Sequence, residues 1–244
     1  MVLMSKMLKL FGFVLLGVCF SSLVNAQVSS IPDDATAIDS GTYADILTDD
    51  TLTKEHTGSI GVYDSGVVAV EAAEGNTNSS FYILKGDILV GAADRPDQKG
   101  GTFNISNRSE ESFNFQFDGT ESGLISVDNN GSFLVEGGET DKAIVNLTGV
   151  TSLNVSNAGK ISFSKATVGG DNKLESINVS NMGTLNLTNT EINGGDSLKA
   201  VNVLTAGTLS LEDSLLQGDS FNLTVQDSGT VELDNSTLSI NKAA

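Results

Sequence analysis

Residues 153–159 read LNVSNAG, residues 177–183 read INVSNMG and residues 201–207 read VNVLTAG, so one motif recurs every 24 residues. A weaker fourth copy, QDSG, ends at Gly229, two residues earlier than the period requires. A fixed period of about 20–50 residues is the signature of a repeat architecture, in which each unit stacks on its neighbours. The period therefore establishes the repeat character of the chain before any single element is considered.

Apolar and polar residues alternate on both sides of each repeated glycine. Residues 177–179 read INV before Gly183, and residues 185–187 read LNL after it. Alternation with a period of two indicates a β-strand with one buried face. No stretch after residue 26 shows the apolar period of a helix. Each unit is therefore predicted to contain a strand, a glycine-containing turn, a second strand, a corner and a polar loop.

Apolar positions recur with the same period, which indicates that equivalent residues stack from coil to coil. Neighbouring strands lie about 4.8 Å apart, so each coil adds one strand spacing to the stack. The sequence predicts an all-β fold with one parallel β-helix (β-solenoid) of about eight right-handed coils of roughly 20–28 residues. The predicted inward columns are Val155, Val179 and Val203; Ile161, Leu185 and Leu209; Phe163, Leu187 and Leu211; and Val168, Ile192, Leu216 and Leu238.

The pattern continues less regularly towards the N-terminus. We interpret Gly66, Gly86 and Gly131 as further turn glycines. Gly86 and Gly131 are 45 residues apart, enough for two coils, and the turn between them is predicted at residues 107–112. The solenoid domain is accordingly assigned to residues 56–244.

Residues 1–26 have the features of a secretory signal peptide. Lys6 and Lys9 precede an apolar run, and residues 24–26 (VNA) form a small-residue cleavage site, so the mature chain should begin at Gln27. The apolar run is too short for a membrane span, and no later segment is predicted to cross a membrane. Residues 27–55 are predicted to be a leader, a cap or a first irregular coil.

Cys19 is the only cysteine, so the mature protein contains none and forms no disulfide. Lipidation at Cys19 is disfavoured, because Val18 stands where lipoboxes carry a small residue. A secreted protein without disulfides favours a bacterial envelope or extracellular location.

The chain is strongly acidic, with 31 Asp and Glu against 13 Lys and Arg and a formal net charge of −18. The signal peptide carries two lysines and no acid, so its removal changes the charge to −20. No basic patch occurs, so nucleic-acid binding and attraction to anionic membranes are not expected.

The coil length, the absence of cysteine and the outward Ser, Thr and Asn residues resemble the parallel β-helix passengers of bacterial autotransporters and related adhesins. More loosely, they resemble the pectate-lyase-like superfamily. The resemblance covers roughly residues 56–240 and lies in architecture and texture. It implies a surface-exposed rod that is active in adhesion. The chain departs from it in lacking the C-terminal membrane barrel of an autotransporter.

Acidic residues recur in the polar loops, where Asp171, Asp196 and Asp219 follow glycines at similar places in successive units. Stacked carboxylates repel one another, and Ca²⁺ would relieve the repulsion, so these three are weak candidate metal ligands. The alternative is that glycine and aspartate simply form turns, which we favour because the nonapeptide calcium repeat is absent.

Two other polar features receive structural interpretations. Asn154, Asn178 and Asn202 share the 24-residue period and are predicted to form an outward amide ladder. His56, the only histidine, lies in a polar segment and is predicted to be solvated. With one histidine and no nucleophile motif, no catalytic residue and no cofactor are assigned.

We therefore expect a secreted or cell-surface protein of a bacterium, non-enzymatic, with an adhesin-like, envelope or matrix role. Its predicted partners are unspecified surface proteins or polysaccharides. One alternative is a polysaccharide-binding or polysaccharide-lyase β-helix, although Arg95 and Arg108 both fall in predicted loops. The other is a subunit that assembles end to end through its open coil edges.

Overall fold

The structure is a computed structural model that describes residues 29–32, 37–91, 97–118, 123–171 and 173–240. The chain divides into two compact units, Met1–Ser30 and Ile31–Ala244, and the strands belong to the second. The predicted signal peptide and its cleavage site lie outside the described residues.

The second unit is an all-β parallel solenoid of eight coils, which confirms the predicted fold class. Its described residues form 23 strands and no helix. Sheet A contains β1 (Thr42–Leu47), β4 (Val67–Ala72), β7 (Thr102–Asn107), β10 (Ser132–Glu136), β13 (Lys160–Ser164), β16 (Thr184–Thr188), β19 (Thr208–Glu212) and β22 (Thr230–Asp234). Sheet B contains β3 (Ile60–Val62), β6 (Ile88–Val90), β9 (Leu124–Val127), β12 (Ser152–Val155), β15 (Ser176–Val179), β18 (Ala200–Val203) and β21 (Asn222–Val225). Sheet C contains β2 (Thr53–Thr57), β5 (Ser80–Lys85), β8 (Phe113–Phe117), β11 (Val145–Thr148), β14 (Ala166–Gly169), β17 (Glu191–Asn193), β20 (Leu215–Gly218) and β23 (Thr237–Ile240).

Each complete coil passes once through the three sheets, from sheet B through the glycine turn to sheet A, and then around a corner to sheet C. The first coil consists of β1 and β2, and a parallel bridge from Ile38 to Val62 takes the place of its strand in sheet B. The solenoid therefore begins before residue 56, and residues 42–55 contribute to an irregular first coil.

The predicted inward columns are confirmed by the strand register. Val155 lies beside Val179, which lies beside Val203, and all three are buried. The columns through Leu185 and Leu187 are aligned in the same way. Residues one position away face outward, because successive side chains of a strand point to opposite faces. A 24-residue period thus converts directly into a stacked apolar interior.

Aromatic side chains fill the wider interior of the N-terminal half. Phe103, Phe133 and Phe163 stack along sheet A with ring centroids 5.7 and 6.0 Å apart. Tyr82 stacks on Phe115 at 5.1 Å on the side of sheet C. These rings are buried, as the sequence interpretation of inward phenylalanines predicts.

The repeated turn uses glycine for close approach and not for a left-handed backbone. Asn157 and Ala158 have φ of 46° and 59°, and Gly159 donates its N–H to the Ser156 carbonyl at 2.8 Å. This is a type I′ turn, with both central residues at positive φ. A Cβ on Gly159 would lie 2.6 Å from the Val127 carbonyl oxygen of the preceding coil.

The assignment of Gly86 to this turn column is wrong. The register places Gly101 beside both Gly66 and Gly131, because Thr102 pairs with Val67 and with Ser132. Gly86 instead joins sheet C to sheet B between β5 and β6. Residues 107–112 likewise form the corner between β7 and β8, so the predicted missing turn is misplaced. The error arises because the step from Val67 to Thr102 is 35 residues, which breaks the period.

Candidate binding surface along the solenoid

Sheet B presents a ladder of asparagine side chains on its outward face. The Asn178 side-chain amide donates to the Asn154 side-chain carbonyl at 2.8 Å, and Asn202 donates to Asn178 at the same distance. The hydroxyls of Ser152 and Ser176 lie 3.1 Å apart beside it. The predicted ladder is confirmed, and it makes this face flat, uncharged and hydrogen-bonded from coil to coil.

A second column of polar groups occupies the corner between sheets A and C. The Ser214 hydroxyl accepts the Thr190 N–H at 3.0 Å and donates to the Glu212 carbonyl at 2.7 Å. Ser236 repeats the arrangement one coil later, accepting the Ser214 N–H at 2.9 Å. Thr190 and Ser214 are buried. Because each hydroxyl bridges two coils, the corner has a defined shape that sequence inspection did not reveal.

The residue before each of these hydroxyls projects from the corner with a left-handed backbone. Lys165, Asn189, Asp213 and Asn235 have φ between 46° and 50°. Asn235 donates to the Asp213 carboxylate, and the Lys165 ammonium donates to the Gly138 carbonyl at 2.9 Å. The corner therefore displays a row of polar side chains at one-coil intervals.

Two shallow grooves run along this corner and adjoin one another. One has a volume of about 410 Å³ and the other about 350 Å³, and both include Asn189 and Glu191. The Glu191 carboxylate accepts a hydrogen bond from Gln217 at 3.2 Å. The lining is mostly hydroxyl, amide and carboxylate groups: Thr140, Asp141, Ile144, Lys165, Ala166 and Thr167 in one groove, and Thr190, Asp213, Ser214, Leu215 and Asn235 in the other.

The three predicted calcium ligands do not converge on one point. The Asp171 carboxylate accepts the Gly149 N–H at 2.6 Å and so belongs to the loop of the preceding coil. Asp196 and Asp219 lie together, with the Asp219 N–H bonded to the Gly195 carbonyl at 2.9 Å. Among the described residues, no group of three or more His, Cys, Asp or Glu side chains is arranged to hold a metal ion. Calcium binding stays a prediction that a melting-temperature titration with Ca²⁺ can test.

The contact between Asp196 and Asp219 changes the acidity of the pair. The hydrogen bond to the Asp196 carboxyl raises the pKa of Asp219 above its ordinary value of 3.8; desolvation and the Asp196 charge act in the same direction. Lys199 opposes the increase. The Lys199 ammonium also donates to the Asp196 backbone carbonyl. Two carboxylates sharing one proton explain this loop edge without a metal.

The interior of the first coil contains polar groups that sequence reasoning missed. Asp45 is fully buried and accepts hydrogen bonds from the Tyr82 hydroxyl at 2.9 Å and from the Ile31 N–H at 3.3 Å. The Lys54 ammonium forms an ion pair with the same carboxylate. The signal was present in the alternation of residues 43–47 (YADIL), which places Asp45 at an inward position.

The prediction that His56 is solvated is wrong. It is only 1% exposed, and it lies beside the buried Leu84 in sheet C. Its neighbours Glu55 and Thr57 face outward, so the polar segment is an ordinary alternating strand. The polarity of the flanking residues concealed the inward position.

Of the two arginines, only Arg108 lies among the described residues, since Arg95 falls within residues 92–96. The Arg108 guanidinium lies 3.3 Å from the Glu71 carboxylate, which also accepts the Ser106 hydroxyl at 3.2 Å. Burial raises the pKa of Glu71, and Arg108 and Ser106 partly offset that effect. This group holds the corner after β7 against β4.

In comparisons with family models, with curated proteins and with solved structures, no match was found. The autotransporter and pectate-lyase-like assignments gain no support from them, and what is shown is the parallel β-solenoid itself. No helix capable of crossing a membrane occurs within the part of the chain that the structure describes.

Proposed function

We propose that the protein is a secreted or cell-surface β-solenoid of a bacterium that acts without catalysis, in adhesion or in the structure of the envelope or matrix. The observation that carries the proposal is the polar groove along the corner between sheets A and C. Its walls repeat from coil to coil and are held by hydrogen bonds between coils. Such a surface suits an extended partner that makes many similar polar contacts.

The lining of the groove favours a hydroxyl-rich polymer as the partner. Carboxylate, amide and hydroxyl groups offer both donors and acceptors, and water-mediated contacts add to direct ones in interfaces of this kind. Polysaccharide binding is therefore the second candidate function, and a protein segment in extended conformation is the other class of ligand. Neither requires chemistry at the groove.

A location test comes first. Cell fractionation and N-terminal sequencing should find the protein in the envelope or medium with Gln27 as its first residue. A cytoplasmic protein that retains residues 1–26 would contradict the secreted location. This outcome is independent of what the groove binds.

An adhesion test addresses the groove. Beads coated with the full processed chain should bind polysaccharide-coated or cell surfaces, and Glu191→Lys should reduce that binding because it reverses a charge shared by both grooves. Glu175→Lys is the matched control, since Glu175 is also exposed but precedes β15 on the other side of the coil. Equal loss in both variants would contradict a specific groove. Release of unsaturated uronate products from a polymer would contradict the non-enzymatic role.

A further inference from the structure

The last described coil leaves its inward side chains uncovered. Leu223 and Val225 in β21, Leu233 in β22 and Ile240 in β23 are 40–52% exposed. Their neighbours one coil earlier in β18 and β19 are fully buried. Val231 and Leu238 at the same end are only partly buried. The end of the stack is thus an apolar face framed by the free edges of three strands.

The opposite end of the solenoid is closed by the chain itself. Ile31, Ile38 and Leu47 are buried at the first coil. The inward Asp45 carboxylate has its hydrogen-bond partners there, one of which is the N–H of Ile31. An apolar face stacked on this end would therefore meet a surface that has already buried its apolar groups. Head-to-tail stacking of copies is disfavoured for that reason.

We propose that the apolar end face, formed by Leu223, Val225, Val231, Leu233, Leu238 and Ile240, is an interface with a second copy of the chain. The two copies join end to end about a twofold axis perpendicular to the solenoid. This inference goes beyond the proposed function and does not depend on what the groove binds. A twofold arrangement covers both open faces at once and closes the assembly as a dimer.

Strand geometry is compatible with this arrangement. A perpendicular twofold axis reverses the strand direction, so the free edges of the two last coils meet antiparallel and can form ladder hydrogen bonds. Long unpaired edges are a hazard that proteins cover or pair. The axis leaves the corner groove of each copy exposed on the side of the rod.

The size of the face agrees with a stable dimer. The last coil spans 19 residues, from Asn222 to Ile240. A standard protein interface buries about 800 Å² and about 20–30 residues on each side. One coil edge therefore supplies nearly a standard interface, with aliphatic side chains at its centre.

The rim of the face is acidic, which gives the dimer a distinctive salt dependence. Asp227, Glu232 and Asp234 are exposed outward residues of the last coil, and residues 222–240 contain no lysine or arginine. Two copies bring these carboxylates towards each other, so repulsion opposes association and salt weakens that repulsion. The dimer should tighten as salt increases. A foreign partner with a basic rim would show the opposite dependence.

The test is the mass of the full processed chain in solution, measured by light scattering and sedimentation over a wide concentration range at low and high salt. We expect a monomer–dimer equilibrium that shifts to dimer with salt. Leu233→Lys should raise the dissociation constant at least about tenfold, because it places a charge in the centre of the face. Val225→Lys, on another sheet edge, should have the same effect.

Ile46→Lys is the matched control. Ile46 is 55% exposed, close to the 52% of Leu233, but it faces outward in β1 at the closed end, so the variant should dimerise normally. Thermal unfolding must show that all three variants fold. A monomer at every concentration and salt, or a dimer unaffected by Leu233→Lys, would overturn the interface. Open-ended oligomers would overturn the twofold geometry. Association with a basic partner only, weakened by salt, would overturn self-association.

Discussion

The turn between sheets B and A divides two steric demands between neighbouring residues. The left-handed backbone falls on residues such as Asn157 and Ala158, whose N–H groups point along the stack; the Ala158 N–H donates to the Asn181 carbonyl at 3.0 Å. The close approach of the previous coil falls on Gly159. Glycine recurs every 24 residues because the stack leaves no room for a side chain there.

This division predicts opposite effects for two adjacent substitutions. Gly159→Ala should lower the free energy of unfolding by about 1–3 kcal/mol, because its methyl group would overlap a backbone carbonyl. Ala158→Gly should be neutral or stabilising by up to about 1 kcal/mol, because glycine adopts positive φ without strain. Chemical denaturation of both variants measures the difference. Destabilisation by Ala158→Gly larger than that by Gly159→Ala would contradict the assignment.

The carboxyl pair at Asp196 and Asp219 predicts a pH dependence. Because the folded pKa of Asp219 is raised above 3.8, the folded state binds more protons than the unfolded state between that value and the raised pKa. The contribution of this group to stability is present below that window and is lost as pH rises through it. Asp219→Asn should flatten this part of the profile of melting temperature against pH.

Asp227→Asn is the control for that experiment, since Asp227 is exposed in the last coil and lies in the repeated turn before β22. Its profile should keep the slope of the unmodified protein. If Asp219→Asn left the slope unchanged while Asp227→Asn altered it, the shared proton would be assigned to the wrong pair.

The strands are individually short, and the columns that cross them connect one coil to the next. In sheet B the asparagine ladder crosses three coils, and in the corner the column of hydroxyls crosses three more. Both columns follow from the strand register, since a shift of one residue would turn every side chain to the other face. The polar columns therefore reinforce the same register that the apolar interior requires.

The ladder predicts a position-dependent cost. Asn178→Ala removes two side-chain hydrogen bonds and should reduce stability by about 1–2 kcal/mol, whereas Asn154→Ala removes one and should cost about half as much. Asn186→Ala is the control, because Asn186 faces outward in β16 between two serines. Denaturant midpoints provide the comparison. Equal costs at all three positions would show that the ladder adds nothing to the stack.

At the scale of the whole molecule, stability is distributed along the solenoid and is lowest at its open end. Each coil contacts mainly its two neighbours, so the energetics of the stack approximate a sum over coils and their interfaces. The interior coils have two neighbours, and the last described coil has one. Its apolar residues are correspondingly half exposed.

This gradient predicts that the same substitution has different costs at different coils. Leu185→Ala, in a fully buried column, should cost about 2–5 kcal/mol. Leu233→Ala should cost about 0.5 kcal/mol or less when measured at low protein concentration, where the monomer prevails. Hydrogen exchange should be fastest in β21, β22 and β23 under the same conditions. Uniform protection across all coils would contradict the gradient.

Much of the fold was accessible from the sequence, and the candidate surface much less so. The period from 153 to 229 predicted the strands, the inward columns and the asparagine ladder, because identical spacing places identical residues beside one another. The corner groove was not predicted, because its hydroxyl column depends on hydrogen bonds between residues one coil apart. Nothing in the local sequence of Ser214 distinguishes it from other serines in loops.

The sequence by itself determined that this protein is a parallel β-solenoid with an apolar interior and an acidic exterior, since periodicity and alternation are properties of the chain alone. Only the tertiary structure decided that Gly86 lies outside the turn column, that His56 and Asp45 face inward, and that one end is closed and the other open. These facts depend on which residues become neighbours across steps of 25 to 35 residues. Wherever the coil length varies, spacing along the chain no longer reports position in the stack.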